Sequence, residues 1–328
     1  MRSLERRNGR LDPSDWEAFR RLAHRMLDEA IDDVAAVGSA EGPVWKPIPP
    51  EVKGSLVRSL DGAPHDLEEV YEEFRTTIAP YATGNRHPAF SGWVHGAGTP
   101  TGMVAEMLAA GLNANLGGRD HAPIYVARAV IAWARRVFGF PREASGLLVT
   151  GTSLANLIGV VVARTSALGT ESRRRGVGTH RLVAYASSAV HGCIRKAMEV
   201  AGLGSDALRL VAVDESDRID TGVLRNAIAA DRAAGLRPFL IVGTAGTVDI
   251  GAFDDFHALA DIARDEEMWL HVDGAFGALA MLAPSLRHRL AGLERADSLA
   301  FDFHKWAQVP YDAGCILVRD GSLQLRTF

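Results

Sequence analysis

Ser298-Leu299-Ala300-Phe301-Asp302-Phe303-His304-Lys305-Trp306 begins as an apolar run and ends in a dense polar and aromatic turn. The run reads as a strand, and its single lysine follows the strand's carboxyl end. A lysine held beside a low-dielectric pocket loses proton affinity and becomes a nucleophile toward an aldehyde. A surface lysine after a strand is the plain alternative. The flanking His304 and Trp306, with no acidic surface pattern after them, favour chemistry.

The preceding stretch, Trp269-Leu270-His271-Val272-Asp273-Gly274-Ala275-Phe276, follows the same plan. Asp273 closes an otherwise apolar strand, and His271 shares its strand face at two-residue spacing. Three uses are open for Asp273: a helix cap, a metal ligand with His271, or a carboxylate facing a cofactor. Pyridoxal 5'-phosphate needs such an acid to keep its ring nitrogen protonated and the ring an electron sink. A metal would require a third ligand, and none is evident, so no metal site is expected.

Further out, Val149-Thr150-Gly151-Thr152-Ser153-Leu154-Ala155-Asn156 turns from a strand through glycine into a helix whose first residues carry hydroxyls. Backbone N–H groups and the helix dipole make that end an anion cradle, and simple capping by Thr152 or Ser153 is compatible with it. The Gly-Lys-Ser/Thr signature of a P-loop and the glycines of a dinucleotide fingerprint are both missing. His191 opens another helix after a strand, either as a structural histidine or as a ring stacked on a planar ligand. Thr244 and Thr247 follow a further strand, as turn residues or as contacts to a cofactor oxygen. His87 to Trp93, His95 and the loop Gly117 to His121 are additional candidates for a pocket wall.

These sites recur because the chain from Gly146 onward alternates apolar runs with helical periods. The runs are Leu147–Thr150, Leu182–Ala186, Leu208–Val213, Phe239–Gly243, Met268–Val272, Ser298–Phe301 and Cys315–Val318. Helices are expected to start near Thr152, His191, Thr221, Asp254 and Pro284. Such alternation predicts a mostly parallel sheet covered on both faces, with ligands beyond the strands' carboxyl ends. Ahead of it, Asp12-Pro13-Ser14-Asp15 starts a helix with an apolar stripe from Trp16 to Val34 that ends near Gly38. Gly42 to Pro50 reads as an extended connector. Helices follow from Asp66 to about Ile78, Thr101 to about Leu112 and Pro123 to Phe138.

Composition narrows the class. The 328 residues are 47% hydrophobic and 23% charged, with 36 basic against 40 acidic side chains and a net charge of −4. That balance gives no reason to expect nucleic acid or a membrane surface as partner. Arg173-Arg174-Arg175 reads as a solvated loop. Cys193 and Cys315 sit in apolar surroundings and read as buried free thiols. Met1 to Arg10 has no apolar signal core, and the longest apolar stretch, Leu154 to Ala163, is too short to span a bilayer, so a cytoplasmic location is expected.

The order of these pieces resembles the group II PLP-dependent decarboxylases, the family of aromatic-amino-acid, histidine and glutamate decarboxylases. His-Val-Asp-x-Ala at 271–275 and His-Lys-Trp at 304–306 carry the likeness, which runs from Trp16 to Val318. The resemblance implies the aminotransferase-like fold type I, an α/β fold with a seven-stranded mixed sheet and helices on both faces. It implies a homodimer with an N-terminal helical arm, residues 1–80, packed on the partner. Residues 81–328 would be the large PLP-binding domain, with the relatives' C-terminal small domain and mobile tyrosine loop absent. Lys305 would carry the cofactor as a Schiff base. Asp273 would pair with the ring nitrogen, Ala275 would touch the ring and His191 would stack on its other face. Thr152, Ser153 and Asp302 would hold the phosphate with His304 beside it, and Thr247 is a further cofactor contact. The implied reaction is decarboxylation of an L-amino acid to its amine. An aminotransferase-like enzyme of the same fold type, or a PLP-binding chain with little turnover, are the alternatives.

Overall fold

The computed structural model describes residues 12–39, 41–57 and 65–328; Met1 to Arg10, read above for a signal sequence, lies outside them. The chain divides into two compact units between Gly92 and Trp93.

The first unit is helical. Helix α1 (Trp16–Ala36) is capped by Asp15, whose carboxylate accepts from the backbone N–H of Glu17 and Ala18 at 2.9 Å each. A short helix α2 (Pro50–Leu56) ends the extended connector, and α3 (Leu67–Glu73) runs on as a π-turn through Ile78. Polar pairs join α1 to α3: Arg25 meets Glu68 at 2.9 Å, and the Tyr71 hydroxyl donates to Glu29 at 2.7 Å. No residue of α1 is buried, and Trp16, Phe19 and Ile31 of its apolar stripe are exposed.

The second unit holds one seven-stranded sheet: β1 (Ser145–Val149), β2 (Leu182–Ser187), β3 (Leu208–Val211), β4 (Arg237–Thr244), β5 (Trp269–Asp273), β6 (Ser298–Asp302) and β7 (Gly314–Val318). The order is β1-β7-β6-β5-β4-β2-β3. Strand β7 is antiparallel to both β1 and β6, and the other pairs are parallel. Every expected strand is present within a few residues of its predicted bounds, because an apolar run between turn residues is the signature of a strand buried on both faces. Helices α4 (Pro100–Leu112) and α5 (Ala122–Val137) precede the sheet. Helices α6 (Thr152–Leu168), α7 (Ser172–Arg175), α8 (Cys193–Val200), α9 (Thr221–Ala233), α10 (Phe256–Asp265) and α11 (Gly321–Thr327) connect or follow the strands.

Side chains alternate across the sheet. Val183, Tyr185, Ile241, Leu270, Val272, Leu299 and Phe301 enter one core. Leu182, Ala184, Leu240 and Val242 enter a second, and Ala300, Ile316 and Val318 pack with Ala155 and Val162 of α6. The helix expected at Pro284 is replaced by 3-10 turns at Arg287–Leu290 and Leu293–Arg295. Gly292 between them has φ +92°, a left-handed conformation that stops helix propagation.

The topology sets the site. Strands β2, β4, β5 and β6 end at one edge, with Thr244 beside Asp273 and Asp273 beside Ala300. Strand β1 runs the same way as β6, since both oppose β7, so the turn into α6 reaches that edge too.

Candidate functional site

Lys305, Asp273, His191, Thr152, Ser153, Thr247, Ala275, Asp302 and His304, the residues singled out from sequence, all line one cavity of about 460 Å³ at this edge. They come from turns after five different strands, so only the sheet pairing brings them together.

Asp302, at the end of β6, is 3% exposed. One of its oxygens accepts from the Thr152 backbone N–H at 2.8 Å, which ties the start of α6 to β6. The other lies 3.1 Å from Lys305 Nζ and 3.5 Å from His304 Nε2. His304 Nδ1 accepts from the Ala313 N–H at 3.1 Å, which directs the Nε2 edge to the carboxylate. The Lys305 side chain is 20% exposed, so its amine has an anionic partner and an open path into the cavity.

Asp273 is 4% exposed and meets only neutral donors by hydrogen bond. Its Oδ1 accepts from the Ala275 N–H at 3.1 Å and its Oδ2 from Asn156 Nδ2 at 2.9 Å. Burial raises its pKa; those two donors, then the charges of Lys305 and His191, pull it back. Cys193 Sγ lies 3.9 Å from the same oxygen, and burial together with Asp273 pushes the thiol up to about 12. His191 is exposed at the opening, its Nδ1 accepting from the Cys193 N–H at 3.3 Å.

Two hydroxyls bear on what the cavity can hold. Thr152 Oγ1 and Thr244 Oγ1 are both buried and have no hydrogen-bond partner among the described residues, and both residues line the cavity. Buried polar atoms are nearly always paired, so these two suit a ligand bearing acceptor oxygens. Thr247 Oγ1, by contrast, already accepts from the Ala252 N–H at 3.0 Å and closes a local turn. The end of β4 is fixed by buried Asp254, which accepts from the N–H groups of Thr244 and Ile219 at 2.7 Å each.

Sequence reading missed Asn156, Cys193 and Tyr311. Asn156 lies one helical turn after Thr152, and a polar amide inside the apolar run 154–163 was the available signal. Cys193 read as a bland buried thiol; it is buried, but it lines the cavity. Tyr311, which packs against His304 with ring centroids 4.2 Å apart, had no signal in local pattern. Of the suggested wall residues, Trp93 lines the cavity, whereas His95 and the 117–121 loop are not among its lining residues.

Residues 49–328 match the family model described as the pyridoxal-dependent decarboxylase conserved domain. The chain is 33% identical to an aromatic-L-amino-acid decarboxylase of Bacillus atrophaeus, over 95% of this chain and 64% of that protein. Among solved structures it resembles the glutamate decarboxylase domain of a Vibrio parahaemolyticus protein described as diaminobutyrate-pyruvate transaminase and L-2,4-diaminobutyrate decarboxylase. That match has a TM-score of 0.86 at 28% identity, and covers 96% of this chain and 70% of the other. A structure of Oryza sativa TDC with PLP and tryptamine aligns with TM-score 0.85 at 26% identity, over 96% and 66% of the two chains. The chain thus spans about two thirds of the length of the relatives it matches.

Proposed function

The chain belongs to the pyridoxal-dependent decarboxylase family, and from that premise we propose that it holds pyridoxal 5'-phosphate on Lys305 and removes the α-carboxylate of an L-amino acid as CO₂. One observation carries the reading: a single cavity joins an amine with an open path, a buried carboxylate and two orphaned hydroxyls.

When bound, the cofactor supplies a conjugated, electron-withdrawing ring. The protein's part is placement and charge. Lys305 Nζ, held by Asp302, is the amine available for attachment. Asp273 offers a carboxylate to a ring nitrogen and favours that nitrogen's protonated form. Ala275 would supply a small wall, and His191 at the opening would cover the ring's other face. Thr152 Oγ1, Ser153 and Thr244 Oγ1 are the donors for a phosphate or ring oxygen. Asp302 is an acceptor, as phosphate is, so its contribution to phosphate binding would be indirect: it fixes the Thr152 backbone, whose hydroxyl remains free to donate, and lies beside His304. Thr247 contributes by shaping the turn behind Thr244 and by whatever donor capacity its hydroxyl retains.

The proposed assembly is a homodimer. Leu147 and Leu148 on the edge strand β1 are 45% exposed, and Val126 of α5 is exposed beside an apolar groove of about 880 Å³ that Leu148 also lines. A second copy would cover this surface and protect the edge. Residues 1–80 are proposed as a helical arm on the partner subunit, in keeping with the exposure of Trp16, Phe19 and Ile31 on the apolar stripe of α1. The remainder of the chain is proposed as the PLP-binding domain. The unpaired thiols of Cys193 and Cys315 favour the cytoplasm. No helix among the described residues is long and apolar enough to cross a membrane. The relatives' names cover aromatic, acidic and basic amino acids, so the proposed substrate is an L-amino acid of no narrower class.

The test begins with borohydride reduction of the PLP-loaded chain. A phosphopyridoxyl group should appear on Lys305, and Lys305→Ala should abolish it. CO₂ release is then assayed with aromatic, acidic and imidazole amino acids. A visible cofactor band that survives in Lys305→Ala would overturn the attachment. An adduct without CO₂ release from any amino acid would leave a binding protein rather than a decarboxylase.

A further inference from the structure

Behind Asp273 lies a row of polar side chains for which the cavity chemistry has no direct use. Asn156 of α6 bridges Asp273 to His271: its Nδ2 donates to Asp273 Oδ2 at 2.9 Å, and its Oδ1 lies 2.8 Å from His271 Nε2. His271 Nδ1 is 2.8 Å from Ser298 Oγ, at the start of β6. Ser298 Oγ in turn accepts from Trp269 Nε1 at 2.8 Å. Asn156, His271 and Ser298 are all 0% exposed.

The directions of these bonds follow from donor and acceptor capacity. An ionised Asp273 accepts only, so Asn156 turns its amide NH₂ toward it. Asn156 Oδ1 then faces His271, and Nε2 carries the proton. The indole N–H of Trp269 donates only, so Ser298 accepts from it and gives its own hydrogen to His271 Nδ1. One neutral tautomer of His271 satisfies both contacts. Burial keeps the ring neutral, pushing its pKa down to about 3. The second amide hydrogen of Asn156 goes to Cys193 Sγ at 3.2 Å, which leaves both amide hydrogens used. Every bond in the row therefore points its donor toward Asp273, and aligned hydrogen bonds in a low-dielectric interior strengthen one another.

The helix is adapted to the row. Gly159 lies within α6, where glycine weakens a helix. A Cβ there would sit 2.6 Å from His271 Cε1, so the bare backbone is what admits the imidazole.

We infer that Trp269, Ser298, His271 and Asn156 form a buried polarising relay that keeps Asp273 ionised and aimed at the ring nitrogen of the cofactor. Asn156 and His271 are positioning residues in it. The inference rests on the PLP reading above. The charged and titratable groups around Asp273 are Lys305, His191 and Cys193. Burial works against the carboxylate's charge, so removal of the relay lets Asp273 take up a proton and cease to favour a protonated ring nitrogen.

The experiment compares binding of PLP with binding of its carba analogue, in which C–H replaces the ring nitrogen. Both are tested on the full chain, and borohydride trapping on Lys305 is read in parallel. The parent should prefer PLP. Asn156→Leu and His271→Leu should still trap PLP on Lys305 but lose that preference by on the order of tenfold, one pKa unit of coupling. Ser298→Thr should keep the preference and Ser298→Ala should reduce it. Equal weakening of both ligands, or an unchanged ratio, overturns the relay. Absence of any Lys305 adduct in the parent overturns the PLP reading instead. Should the leucine variants not fold, the Ser298→Ala and Ser298→Thr pair decides by the same ratio.

Discussion

Asp273 and Asp302 end neighbouring parallel strands, are buried to the same degree and line the same cavity, yet their surroundings are opposite in kind. Asp302 faces a lysine amine, a histidine and a helix N-terminal N–H. Asp273 is hydrogen-bonded only to neutral donors, with its cations further off. A buried carboxylate with its counter-ion at hand is part of the scaffold. Under the proposed function, one without a hydrogen-bonded cation would receive a cation that arrives with the ligand. The pair shows that strand-end position and residue type do not assign a role, whereas the partners do.

Turnover should separate the two most sharply. Asp273→Ala is expected to lower CO₂ release by roughly 10²–10³, the usual cost of removing one preorganised electrostatic group, and to weaken PLP binding. Parent-like turnover by that variant would dissolve the distinction. Asp302→Ala should act first on the scaffold. The Thr152 N–H and Lys305 both lose their acceptor, and stability of the cofactor-free chain should fall by about 1–3 kcal/mol in denaturant titrations. A stable Asp302→Ala chain with a normal Lys305 adduct would show that the carboxylate anchors nothing.

The pH dependence of stability sharpens the contrast on the Asp273 side. The folded-state pKa of Asp273 is raised by burial. Its contribution is therefore complete below the unfolded carboxylate value and is lost as pH rises through the raised one. His271 has the opposite sign. Its pKa falls from 6.5 to about 3, so its contribution is complete above 6.5 and is lost as pH falls toward 3. Without cofactor, Asp273→Ala should flatten the decline in thermal midpoint toward higher pH, and His271→Leu the decline toward acid. Slopes unchanged in both variants would mean that neither group titrates as its burial requires. The smallest effect is expected at Cys193. Its raised pKa keeps it a thiol, so Cys193→Ser should shift stability by less than about 1 kcal/mol, and the parent thiol should resist alkylation at neutral pH. Fast labelling of Cys193 would place a stronger cation beside it than the folded chain provides.

Much of the architecture was legible beforehand. Seven apolar runs marked seven strands, because a strand covered on both faces must be apolar throughout. The helix expected near Pro284 is absent; 3-10 turns at Arg287–Leu290 and Leu293–Arg295 stand there, kept apart by the left-handed backbone of Gly292. Within the cavity, Lys305 and Asp273 stand out as polar residues at the end of an apolar strand, whereas Asp302 and His304 were singled out through the family resemblance. Asn156 stood in a helix that read as core, and the two partners that link it to the sheet, Asp273 and His271, lie more than a hundred positions away.

Sequence alone determined the kinds of chemical group present, their order, and the sheet edge on which they fall, since these depend on local patterns of two to four residues. The tertiary structure alone decided which carboxylate received a counter-ion, which threonine hydroxyl was left without a partner, and that a histidine inside β5 backs its neighbour through an amide from α6. The physical reason is range. Hydrogen bonds and ion pairs act over about 3 Å, and which groups come that close is set by strand order and register, not by their spacing along the chain.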